Sequence, residues 1–379
     1  MAGEYVVAIE DSLDRMRADH ERLVREGSPW SLAALFSTSD CDIVDYCRDF
    51  RPNRFGDQAC EAVETFCRRH HIWLESGGAH YNSMTPYLHP GAVTADRMTL
   101  IGVYNAILFW LNDTVGREKF THLTPDVQRD AGRTVEGLCR LLETRRLAPD
   151  PSPAEVATAE FLDLLAERAD PQWLVEFLDS TADHLRTAIR DQNARARRGV
   201  LSVDEYIDLR ARVSGMYPAI ALCEFGRDDY LSWQAIAAVD LATDVLRLRR
   251  LAADIGALMN DMFSFEKECI VDRADFNLVP ICLLNSPGQD LVGAIDDAGR
   301  IVRDRFTEFR QVCARVQDRC AELADRRLAA QLQTHLEDLV GCVQATWVWQ
   351  NVTRRYKGAS VFVENREGDL FDNQDGSTR

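Results

Sequence analysis

Two long stretches of this chain repeat apolar residues in steps of three and four, a spacing that only a helix turns to one side. The first runs Leu241, Val245, Leu248, Ala252, Ile255, Met259, and the second Leu332, Leu336, Leu339, Val343, Trp347. Each sends polar residues to its far end. The 379 residues include 21 Gly and 12 Pro, fewer than average usage supplies, whereas turn-rich β architecture needs more. We therefore expect an all-α fold.

The formal net charge of −17, from 44 Lys and Arg against 61 Asp and Glu, excludes a broad basic surface, so no nucleic-acid partner is expected. Hydrophobic residues at 46% and charged residues at 28% are the proportions of a globular chain with a sizeable core. The first residues carry acids where a secretory leader needs a basic start and then an apolar run. The uncharged run at 98–112 is shorter than the ~20 residues of a bilayer span and reads as a buried core helix, so no membrane span is expected. Eleven cysteines without a Cys-x-x-Cys pair suggest neither a disulfide framework nor a zinc site, and a reducing, cytoplasmic location follows.

The strongest breaker is Ala-Pro-Asp-Pro-Ser-Pro at 148–153, where each Pro removes a helical donor and restricts its predecessor. A helical pattern resumes at once with Val156, Phe161 and Leu165, so we read a surface loop within one bundle. His70-His71 beside two arginines reads as an exposed helix edge, Asp228-Asp229 as a loop, and Arg190, Arg195, Arg197 and Arg198 as a solvated face. After Ser360 the chain turns polar and is expected to fray.

The stretch richest in chemistry is Asn260-Asp261-Met262-Phe263-Ser264-Phe265-Glu266-Lys267-Glu268, at the end of the first periodic helix. On a regular helix, positions 260, 264 and 268 advance by about 40° per step, so an amide oxygen, a hydroxyl and a carboxylate line one shallow arc. Hard oxygens of this kind suit Mg2+ or Mn2+, and Mg2+ commonly shares its shell with phosphate oxygens. Lys267, near the same face, brings a positive charge to such an anion. Taken alone, the spacing more often marks a solvated helix face; its surroundings argue otherwise.

This stretch resembles the second metal-binding motif of class I terpene synthases, N-D-x-x-S-x-x-x-E, with the Lys that often precedes its Glu. Asn277-Leu278-Val279 resembles the segment that commonly follows in bacterial members, and Thr353-Arg354-Arg355-Tyr356 resembles the C-terminal Arg-Tyr pair that contacts the substrate diphosphate. Upstream, Arg210-Ala211-Arg212-Val213-Ser214-Gly215 with Pro218 is similar to the region of the diphosphate-sensing Arg and its helix break, and either Arg210 or Arg212 could be the sensor. The first, aspartate-rich motif has as its candidate Phe109-Trp110-Leu111-Asn112-Asp113-Thr114-Val115-Gly116-Arg117-Glu118. Asn112 stands where the first Asp is expected, Gly116 replaces the trailing acid, and Glu118 lies two positions farther on.

The resemblance covers about 66–357, leaving 1–65 as an N-terminal extension and 358–379 as a polar tail. It implies a single α-helical bundle enclosing a deep apolar cavity. It further implies Mg2+-dependent ionisation of a linear prenyl diphosphate, with cyclisation of the allylic cation to a hydrocarbon or alcohol. Asn260, Ser264 and Glu268 would hold one of three Mg2+ ions (Mn2+ as the substitute), and Asp113 with Glu118 the others. Arg355, Tyr356, Lys267 and one of Arg210 or Arg212 would hold the diphosphate. Phe109, Trp110 and Trp349 stand near the motifs as candidates to face the cation, as do Phe263 and Trp347, although core packing is the commoner role of each. The long chain leads us to expect geranylgeranyl diphosphate slightly ahead of farnesyl diphosphate, and a homodimer is the assembly to test. The rival readings are a chain-elongating prenyltransferase, which needs two intact aspartate-rich motifs, and a non-catalytic helical protein that keeps the fold.

Overall fold

The computed structural model describes residues 2–27, 30–115 and 123–366. The helices that build it are α1 (Ala2–Glu26), α2 (Gly56–Arg69), α3 (Ala95–Val115), α4 (Pro125–Thr144), α5 (Pro153–Ala166), α6 (Pro171–Ala188), α7 (Val203–Val213), α8 (Met216–Arg227), α9 (Ala242–Phe265), α10 (Leu278–Asn285), α11 (Leu291–Glu322) and α12 (Arg326–Val352). Among the described residues there is no strand, only isolated bridges. The all-α expectation holds.

Local chemistry sets where the helices begin. Thr124, Ser152, Asp170, Ser202, Asp290 and Asp325 each accept a backbone N–H at an N-terminus, and Pro occupies the first turn of α4, α5 and α6. The proline-rich breaker thus works as a loop that delivers a capping box, Ser152 with Glu155, to α5. The 98–112 run lies in α3, which packs on α2, α5 and α8.

Helix α9 is more buried than its sequence stripe suggests. The periodic residues are buried, but so are Ala253, Asp254, Gly256, Ala257 and Leu258 on its other sides. The reason is position: α7, α8, α10, α11 and α12 surround it. On α12, Leu332, Leu336, Leu339, Val343 and Trp347 are all buried, as the spacing predicts.

The described part of residues 1–65 packs onto the bundle, with α1 against α10 and α11 and the short helix Leu32–Phe36 against α11. The expected fraying does not hold for residues 361–366. The Trp30 N–H donates to the Val361 carbonyl at 2.7 Å, and the Val363 N–H to the Trp30 carbonyl at 2.9 Å. Glu364 accepts the N–H groups of Leu32 and Ala33 at 2.9 and 3.0 Å, while Val361 and Phe362 are fully buried. The polar residues that suggested a loose end serve as caps. All eleven cysteines are free thiols, and among the described residues no helix is long and apolar enough to cross a membrane.

Candidate active site

A cavity opens among α3, α6, the α7–α8 break, α9 and α12. Its atom-free space is about 1210 Å3, open mouth included. Leu88, Leu108, Phe109, Leu111, Ala188, Ile189, Val213, Met216, Ala219, Gly256, Ala257 and Ala345 give it an apolar wall. Asn112, Arg210, Asn260, Glu268, Arg355 and Tyr356 supply polar groups to the same wall.

The helix carrying Asn260 does not continue regularly to Glu268. After Phe265 the chain enters a π-helical segment, Glu266–Val271, so the third position of the motif sits on a wider turn than an α-helix provides. This corrects the regular arc expected from the spacing. Asn277 braces the turn: its Nδ2 donates to the Asp261 carbonyl at 2.9 Å and to Glu268 Oε2 at 3.2 Å, while its own oxygen caps α10.

Asp261 is wholly buried, and its carboxylate gathers the neighbouring elements. It accepts from Arg210 Nε at 2.7 Å, from the Leu278 N–H at 3.1 Å and from the Tyr206 hydroxyl. Arg210 reaches on to Asn260 Oδ1 at 3.0 Å. Burial alone would lower the pKa of this guanidinium, but Asp261, Tyr206 and Glu268 outweigh it and raise it, so Arg210 stays charged. Asn260 Nδ2 in turn donates to the Tyr356 hydroxyl at 3.1 Å. Between α7 and α8, Gly215 takes a left-handed φ of 79°, which ends one helix and starts the next beside the cavity.

Across the cavity, Arg355 grips Asp113 with two nitrogens, at 3.1 and 3.3 Å, and lies over the Tyr81 ring at 4.4 Å. Tyr81 stacks on Phe109 with ring centroids 5.4 Å apart. The segment leading to Arg355 is pinned by His80, whose Nε2 lies 2.5 Å from Thr353 Oγ1 and accepts the Arg354 N–H at 2.9 Å. Asn112 Nδ2 donates to Asp113 Oδ1 at 3.1 Å.

The geometry therefore gathers Asn260, Glu268, Arg210, Gly215, Arg355, Tyr356, Phe109, Asn112 and Trp349 around one cavity, with Asp113 bound to Arg355. It does not gather all the expected residues. Arg212 is exposed and off the wall, because α7 turns Arg210 inward and Arg212 outward. Lys267 lies off the wall and pairs with Asp272 at 3.1 Å. Trp110 packs toward the core on the far side of α3. Phe263 and Trp347 pack on each other inside the core, centroids 5.7 Å apart. Glu118 lies outside the described residues. Missed from sequence were Tyr81, Tyr206 and the bracing role of Asp261; their partners stand tens of residues or more away, and only the second letter of N-D-x-x-S-x-x-x-E marked one of them.

Ser264 Oγ is fully buried, between Asn260 and Glu268 along the chain, and has no hydrogen-bond partner. Ser264 is not among the residues of the cavity wall, but a hydroxyl left so is a hard-oxygen donor of the kind a divalent cation takes. Among the described residues no three His, Cys, Asp or Glu side chains cluster, so a cation here would need amide or hydroxyl oxygens as well.

A family model, terpene synthase family 2, C-terminal metal binding, matches residues 104–308. Relatives include a 7-epi-alpha-eudesmol synthase, (2E,6E)-farnesyl diphosphate cyclizing, from Streptomyces viridochromogenes. It is 26% identical over 275 residues, 70% of this chain and 76% of the relative. Sesquiterpene synthase Agr9 of Cyclocybe aegerita is 28% identical over 189 residues, 50% of this chain and 48% of the relative. Among solved structures, a-eudesmol synthase aligns with a TM-score of 0.66 at 22% identity, covering 80% of this chain and 96% of that one. A linalool/nerolidol synthase from Streptomyces clavuligerus bound to 2-fluorogeranyl diphosphate aligns at 0.64 and 18% identity, covering 79% and 100%. At these identities the structural likeness is one of fold.

Proposed function

The chain belongs to the terpene synthase family, and from that premise we propose that it ionises farnesyl diphosphate and cyclises the resulting allylic cation to a sesquiterpene hydrocarbon or alcohol. The observation that carries this reading is the juxtaposition of Asn260, Glu268, Arg210, Arg355 and Tyr356 with an apolar cavity. The C15 chain is favoured over the C20 chain expected from length. The extra length of this chain includes α1, which packs on the outside and does not line the cavity. Relatives named as sesquiterpene synthases point the same way.

In this reading Asn260, Ser264 and Glu268 would hold one Mg2+, and Asp113, with Glu118 as the sequence suggests, would hold the others. Bound there, such ions would supply positive charge toward the leaving diphosphate. The protein's own groups do the rest. Arg355 exchanges Asp113 for the diphosphate, which frees the carboxylate oxygens. Arg210, held charged by Asp261, and the Tyr356 hydroxyl add hydrogen bonds to the anion as charge builds on it. The apolar wall keeps solvent from the cation while the chain folds on itself, and aromatic faces such as Phe109 lower its energy.

The test is incubation of the purified protein with C10, C15 and C20 diphosphates and Mg2+, followed by gas chromatography of the extract. A cyclic C15 product is expected. A longer linear diphosphate would mean chain elongation, and no turnover with Mg2+ or Mn2+ would mean a non-catalytic protein.

A further inference from the structure

The polar groups of the cavity wall mostly answer one another. Arg210, Asn260 and Tyr356 form one chain, and Arg355 holds Asp113. Asn105 donates to Thr85 Oγ1 at 3.0 Å, Thr346 to the Cys342 carbonyl at 2.9 Å, and Ser214 to the Ala211 carbonyl at 2.8 Å. Gln350 is different. It lines the cavity from α12, is 3% exposed, and its Oε1 has no hydrogen-bond partner. Among the described residues it is the only side chain of the wall with such an atom. Turning the amide by 180° exchanges Oε1 for Nε2 and leaves the same place needing a partner.

Buried amides are nearly always bonded, to protein or to ordered water. A water here would have the Gln350 amide as one partner. Thr346, one turn earlier on the same face of α12, keeps lone pairs that can accept from it, because its proton is committed to Cys342. Two to four such partners are what a held water needs. Ala219 and Ala345, on the same wall, offer no side-chain hydrogen bond, so such a water would keep a lone pair for a cation enclosed there.

We propose that Gln350 is a positioning residue that holds a water molecule in the cavity and aims it at the last carbocation, so that the product is a terpene alcohol. The proposal rests on the prenyl diphosphate reading above. The water's lone pair forms the C–O bond to the cationic carbon, giving a protonated alcohol, whose extra proton passes to the diphosphate released at ionisation. One prenyl diphosphate and one water thus give one terpene alcohol and one hydrogen diphosphate, with no oxidant or reductant. Gln350 neither gives nor takes the proton.

The test runs the full-length enzyme on farnesyl diphosphate with Mg2+ in buffer made with H2(18)O, with products followed by mass spectrometry. The expected result for the wild type is a cyclic alcohol two mass units heavier than in ordinary water. Gln350→Met, nearly equal in length but unable to hold a water, and Gln350→Leu are expected to lower the alcohol share of total product at least tenfold in favour of hydrocarbons. Circular dichroism checks that each variant folds, and the wild-type labelling decides on water capture without any variant. Hydrocarbon products alone from the wild type, or an unchanged alcohol share in both variants, overturn the proposal while leaving the terpene synthase reading intact. Absence of any turnover with C10, C15 and C20 diphosphates overturns that reading and this proposal with it.

Discussion

Two neighbouring residues, Asn260 and Asp261, divide the work of one motif. Asn260 faces the cavity, while Asp261 points the other way and binds Arg210, Tyr206 and the start of α10. Breaking a buried ion pair by removing one partner strands the other charge, at about 3–5 kcal/mol. Asp261→Asn is therefore expected to lower the urea-unfolding free energy by roughly that much, as well as to loosen Arg210; a change below about 1 kcal/mol would show that Arg210 does not need it. Asn260→Ala and Glu268→Gln act on the cavity side. They are expected to reduce turnover at least about a hundredfold, a loss of the size seen when one preorganised electrostatic group is removed, with the helical circular dichroism unchanged. Retained activity in both would argue against cation binding there. Sequence spacing was enough to single out Asn260 and Glu268, which both line the cavity, although a π-helical turn and not one regular helix carries the chain to Glu268. Tyr206 and Tyr81 were invisible to it, since each matters only through a partner that folding brings close.

Helices and their ends were legible where a local rule decides them, and obscure where a distant segment does. Ser152 with Pro153, and Gly215 between two helical patterns, carry their signals within a few residues. Gly215→Ala places a Cβ on a residue with φ of 79°, where its nearest neighbour would be His184 Cε1 at an unstrained 3.6 Å. The cost is thus in the backbone, about 1–2 kcal/mol, readable as a lower urea midpoint; an unchanged midpoint would mean that the break shifts freely. The segment after Ser360 shows the opposite case. Its polar composition suggested a loose end, but Glu364 and Ser360 are polar because they cap Leu32–Phe36 and bond Glu266. Phe362, fully buried against Phe265, secures the strap. Phe362→Ala is expected to cost about 3–5 kcal/mol, measured by urea unfolding, and a loss below 1 kcal/mol would mean that the strap is not part of the cooperative fold. The π-helical turn at Glu266–Val271 had no sequence signal, because regular spacing cannot report where a ladder slips by one residue.

At the scale of the whole molecule, the fold class followed from periodicity, whereas the cavity did not, since a void depends on which helix faces which and no residue type marks it. Burial at this scale also sets the response to acid. His89, after the short helix Thr85–Leu88, is 2% exposed; its Nδ1 lies 3.8 Å from Cys223 Sγ, and its carbonyl accepts from Asn53. Burial pushes its pKa down to about 3, far below the ~6.5 of an unfolded chain. A group depressed in the fold contributes stability above its unfolded pKa and loses it as pH falls toward the folded value, because the unfolded chain binds the proton first. Between pH 7.5 and 5 this amounts to about 2 kcal/mol. Asp275 and Asp338, both raised to about 6 by burial, act in the opposite sense below pH 6, since the folded protein binds their protons first. The total stability therefore hides the histidine, and the informative quantity is a difference. His89→Gln is expected to be less stable than the wild type at pH 7.5 through lost packing, yet to lose about 2 kcal/mol less on going to pH 5, as measured by urea unfolding at both values. Equal losses in the two proteins would mean that His89 takes up its proton without unfolding, and that the core behind the cavity admits a charge.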